Sequence, residues 1–182
     1  MSFLKNIFNY YINSSIHVAI AVCALVGVTL LEFDASISND LLGFIFFGTI
    51  TGYNFVKYSK TIKARFGEMY LYLKIVQVFS LLALLYFSMQ ISFYTGVIAG
   101  GFALLTFFYA IPLLKNKNLR NITGLKLIIV ATVWAGVTVL LPLFDNDIDL
   151  DATLWFSFVQ RLLFVFALTL PFEIRDLNHD DL

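Results

Sequence analysis

Charge is what this chain has least of. Charged side chains make up 13% of its 182 residues, against 60% hydrophobic, and mean hydropathy is +0.86. Soluble domains carry roughly 25% charged residues, so this deficit excludes a soluble globular fold and marks an integral membrane protein. A basic excess is also missing: 12 Lys and Arg balance 12 Asp and Glu. No positive face is left over to neutralise phosphates, which argues against nucleic acid as a partner. The single cysteine, Cys23, cannot form an internal disulfide and reads as a small apolar filler. The alternating pattern of a membrane β-barrel is absent too.

Long apolar runs are what the chain does have. Six of them, at about 16–33, 41–56, 70–89, 93–114, 125–144 and 154–172, approach the roughly 20 helical residues that cross a hydrocarbon core. The second is the shortest. Continuous apolar runs satisfy their backbone groups in lipid only as helices. The expected fold is therefore all-α, a polytopic membrane helix bundle of six transmembrane helices in a single domain. Residues 1–15 precede it as an amphipathic interfacial segment, with Phe3, Leu4, Ile7, Phe8, Tyr11 and Ile12 at helical spacing. That segment reads as an anchor rather than a cleaved signal, because no small-residue cleavage site comes after it.

Basic residues near span ends favour the cytoplasmic side. Lys5, then Lys57, Lys60, Lys63, Arg65 and Lys74, then Lys115, Lys117, Arg120 and Lys126, and finally Arg175 all fall on one side of a six-span topology. The other side carries Glu32, Asp34 and Asp40, and later Asp145, Asp147, Asp149 and Asp151. The N-terminus and residues 173–182 are thus expected in the cytoplasm. Clean charge segregation suits a bacterial inner membrane.

Gly48 and Gly52, and Gly96 and Gly100, are four apart and are expected to let helices approach closely. Pro112, Pro142 and Pro171 are expected near helix ends, with a break at Pro171 re-aiming the acidic residues beyond it. Gln77, Gln160 and His17 read as interhelical hydrogen-bonding groups. Arg161, in the sixth run, either faces a cavity or partner within the bundle or snorkels toward the 145–151 loop.

Directly after the sixth run comes Glu173-Ile-Arg-Asp176-Leu-Asn-His-Asp180. If the helix continues, Asp176 and Asp180 stand one turn apart, on a face with Glu173. Such a face is either a solvated acidic helix end or a holder of a hard divalent cation. Magnesium takes a few carboxylate oxygens and completes its shell with water and phosphate, so a diphosphate ligand fits the second reading.

The Asp176 to Asp180 spacing, with Tyr109-Ala-Ile-Pro112-Leu-Leu-Lys115 ending the fourth run, resembles the UbiA superfamily of intramembrane prenyltransferases. The resemblance implies transfer of a prenyl group from an isoprenyl diphosphate to an aromatic or other lipophilic acceptor, with membrane lipids around the site. It implies Mg2+ held by Asp176 and Asp180 as the catalytic metal ligands, and Asn54, Lys57, Tyr109 and Lys115 as substrate-binding residues. It also implies nine helices, so these six would be a C-terminally shortened set. In the first aspartate motif Asn54 is in place, while Tyr58 stands where the family has aspartate. Two other readings stay open: a non-catalytic protein of the same fold, which Tyr58 motivates, and a small membrane transporter using Gln160 and Arg161.

Overall fold

The computed structural model describes residues 2–58, 69–114, 117–118 and 124–180. Its helices are α1 (Ser2–Asn13), α2 (Ile16–Glu32), α3 (Asn39–Tyr58), α4 (Met69–Ser88), α5 (Phe93–Ala110), α6 (Leu125–Ala135), α7 (Leu141–Asp145) and α8 (Ala152–Asp180). A π-helical segment, Gly136–Leu140, joins α6 to α7. Two short antiparallel strands, β1 (Pro112–Leu114) and β2 (Lys117–Asn118), are the other regular elements described. The helices coincide closely with the six apolar runs, because unbroken apolar sequence leaves the backbone no partner but itself.

Among the described residues, four helical stretches are long and apolar enough to cross a membrane: Tyr70–Ser88, Phe93–Ala110, Leu125–Asp145 and Ala152–Pro171. The α1–α2 pair, bent by 60°, makes a fifth when counted as one broken span. The α3 helix, which carries Asn39, Asp40, Asn54 and Lys57, falls outside this set.

Among the described residues, three helices begin on a side-chain cap. Ser38 Oγ accepts from the Leu41 N–H at 3.2 Å, Ser92 Oγ from Thr95 at 3.1 Å, and Asp151 Oδ1 from Leu154 at 2.8 Å. Each satisfies an amide that the first turn leaves open. Asp151, whose charge also fits the topology, is thus the N-cap of α8.

The chain divides into two compact units, Met1–Gly96 and Val97–Leu182. In the first, α3 packs between α2 and α4. Val18, Val22, Val26 and Leu30 of α2 recur every four residues and are buried, as are Leu41, Ile45 and Ile50 of α3. Gln77 of α4 donates to the Thr51 carbonyl at 3.2 Å, the interhelical role expected of it. Glycine acts at a different place from the one expected. A Cβ at Gly43 would come within 2.6 Å of the Phe87 ring, whereas Gly52 and Gly100 face open space and Gly48 makes only ordinary contact. A bulky ring, not a facing helix backbone, is what needs the missing side chain.

In the second unit α6 packs along α8, and the Leu125–Asp145 stretch is 56% buried against 22% for Ala152–Pro171. Leu154, Ser157, Arg161 and Val165 form the buried face of α8. Arg161, 8% exposed, therefore turns into the protein rather than snorkelling outward. Gln160 is on the exposed face, contrary to its expected interhelical role.

Each proline acts differently. The fourth run stops at Ala110 rather than continuing to residue 114, and Pro112 opens β1, since proline can neither donate in a helix nor leave room for the preceding turn. Pro142 comes just after the π-helical turn. Its ring would crowd the carbonyl of Thr138, and the widened turn relieves that contact. Pro171 breaks nothing: α8 runs through it to Asp180. The expected break is absent.

Candidate functional site

In the first unit the residues expected to bind substrate gather at the α1–α2 break. Ser14 and Ser15 occupy that break, both fully buried, and Ser15 takes the left-handed backbone conformation with φ 65°. Leaving the helix there would strip the last α1 carbonyls of their donors. One face of α3 replaces them. Asn54, Lys57 and Tyr58, spaced three and four apart, stand together at its end. The Lys57 ammonium donates to the Ile12 carbonyl at 3.4 Å, the Tyr58 hydroxyl to Asn13 at 2.7 Å, and the Asn54 amide to Ser14 at 3.2 Å. The Ser15 hydroxyl donates back to Asn54 Oδ1 at 2.6 Å. Three successive carbonyls are thus capped by three side chains from the end of a neighbouring helix.

This arrangement divides the expected binding residues by access. Asn54 is 4% exposed and Tyr58 5%, so in this conformation both serve the break. Lys57 is exposed, and its ammonium also lies 5.0 Å from the centre of the Tyr58 ring. An ammonium has three N–H donors, so it can meet an anion while keeping the Ile12 carbonyl. His17, expected to bond between helices, instead packs its ring 5.7 Å from Tyr11 across the break.

The remaining candidates belong to the second unit. Tyr109 is half-buried in the last turn of α5. Lys115 lies outside the described residues. Asp176 and Asp180 fall in the helical continuation of α8, one turn apart by position; their side chains lie outside the described part. Glu173, expected on a cation-binding face, is committed elsewhere. It is 6% exposed and forms an ion pair with Lys126 at 2.5 Å. Among the described residues no three His, Cys, Asp or Glu side chains converge.

Two features are not legible in the sequence. The hinge clamp joins residues about forty positions apart, which periodicity does not register; its signals are the Ser14-Ser15 pair between two helical patterns and the polar i, i+3, i+4 face ending α3. The Lys126–Glu173 pair is hidden because Lys126 is already accounted for among the topology charges. No family model, curated protein or solved structure matches the chain.

Proposed function

We propose that this chain is a UbiA-like membrane prenyltransferase core that binds an isoprenyl diphosphate through magnesium at Asp176 and Asp180. Prenyl transfer to an aromatic or other lipophilic acceptor completes this reading. One observation supports it above the others: α8 continues without interruption from its apolar stretch into residues 173–180. That continuity gives Asp176 and Asp180 a fixed one-turn spacing just beyond the apolar part, and two carboxylates with room for phosphate oxygens suit magnesium.

On this reading Asp176 and Asp180 would hold the metal, which would supply electrostatic stabilisation of a diphosphate leaving group. Lys115 supplies a point charge and Tyr109 a hydroxyl donor to phosphate oxygens. Lys57 is the exposed cation of the first motif, and Asn54 acts through the backbone it holds. A cytoplasmic N-terminus, six spans and a bacterial inner membrane belong to the same proposal. The test is saturable binding of a labelled polyprenyl diphosphate to the detergent-solubilised chain, lost on chelating magnesium. Binding indifferent to chelator would contradict it.

Burial of Asn54 and Tyr58 favours a second reading, a non-catalytic protein of the same architecture in which the first motif is structural. Tyr58→Asp separates the two. A first motif that contacts metal gains magnesium affinity from the restored carboxylate. A structural one gains none and loses stability, because Asn13 loses its donor.

A further inference from the structure

Proline has no N–H, so Pro171 removes the helical donor to the carbonyl of Ala167 and crowds it. The segment 173–180 is therefore joined to the body of α8 through its weakest turn. Two residues past the proline, the buried Glu173 carboxylate meets Lys126 Nζ. Lys126 is the second residue of α6, and α6 is the helix against which α8 packs.

The helix dipole does not account for this lysine. A cation in the first turn opposes the helix dipole, and a carboxylate there complements it. Glu173 supplies that carboxylate from the neighbouring helix. The ion pair therefore stabilises the start of α6 while it pins α8 immediately beyond its proline. Asp176 lies three residues beyond Glu173 and Asp180 seven, so a rotation or tilt at Glu173 moves both.

We propose that the Lys126–Glu173 ion pair is the positioning element that aims residues 173–180, and with them Asp176 and Asp180, at a magnesium-bound diphosphate. The proposal rests on the reading of the preceding subsection. Neither residue touches the ligand; each acts by fixing the helix that carries the ligating carboxylates.

The experiment combines two readouts on the full chain with Cys23 replaced by alanine. Nitroxides at Phe156 and Ile174, both exposed, span Pro171 and report the direction of the segment without any ligand. Binding of a labelled polyprenyl diphosphate is titrated with magnesium in parallel. In E173Q and K126M the distance distribution broadens and the magnesium concentration for half-saturation rises about tenfold or more, as when outer-shell partners of a metal site are lost. The charge-swapped double variant, Lys126→Glu with Glu173→Lys, restores both.

A pair that merely braces the fold would lower stability without moving the magnesium midpoint. An unchanged midpoint or an unchanged distance in the single variants, with a binding-competent parent, overturns the inference and leaves the diphosphate reading standing. A parent that shows no magnesium-dependent binding overturns that reading and this inference with it.

Discussion

At the residue scale, Asn54 ties both serines of the α1–α2 break to α3. It is buried, donates to one serine and accepts from the next. Asn54→Leu keeps the branched heavy-atom outline and removes both bonds, orphaning the Ser14 carbonyl and the Ser15 hydroxyl. Unsatisfied buried groups cost about 1–3 kcal/mol each, so thermal unfolding in detergent should show a clear drop in midpoint. Tyr58→Phe removes the hydroxyl that donates to Asn13 and should cost about 1 kcal/mol. Equal midpoints for Asn54→Leu and the parent would contradict the clamp. The residue types at this site are legible in the sequence, but their role is not: Asn54, Lys57 and Tyr58 read as a degenerate ligand motif, while their carbonyl partners depend on where α1 happens to end.

At the element scale, the helices are legible because a long apolar run leaves the backbone no partner but itself, though α3 falls outside the stretches long and apolar enough to cross a membrane. What sequence misses lies at the interruptions. Proline has three outcomes here, a stop at Pro112, a π-turn before Pro142 and a continuous helix through Pro171, and the surrounding packing selects among them. Glycine teaches the same lesson. The four-residue spacing points to Gly48, Gly52, Gly96 and Gly100, yet an added Cβ meets a ring at Gly43 and at Gly136. At Gly136, in the π-turn, it would overlap the Phe102 ring. Gly136→Ala should therefore destabilise by about 1–3 kcal/mol through overpacking. Phe102→Leu in the same chain should relieve most of that loss, and strictly additive effects on the unfolding midpoint would contradict direct contact.

At the scale of the whole molecule, charge segregation predicts that Ser2 and the Asp176 segment share one face of the membrane, while Ser36 and Asp149 share the other. Single cysteines at Ser2, Ser36 and Asp149, in a Cys23→Ala background, can be labelled with a membrane-impermeant maleimide in right-side-out and inverted vesicles. Ser36 and Asp149 should label together and opposite to Ser2; a split between them would contradict six crossings. On the proposed topology the Asp176 segment would share the side that carries the basic residues.

The central claim, that Asp176 and Asp180 hold a magnesium-bound diphosphate, is tested most directly by comparing the parent chain with the Asp176→Ala, Asp180→Ala double variant in binding a labelled polyprenyl diphosphate. The account predicts saturable, magnesium-dependent binding in the parent and none in the variant. Equal affinity in the two would contradict it.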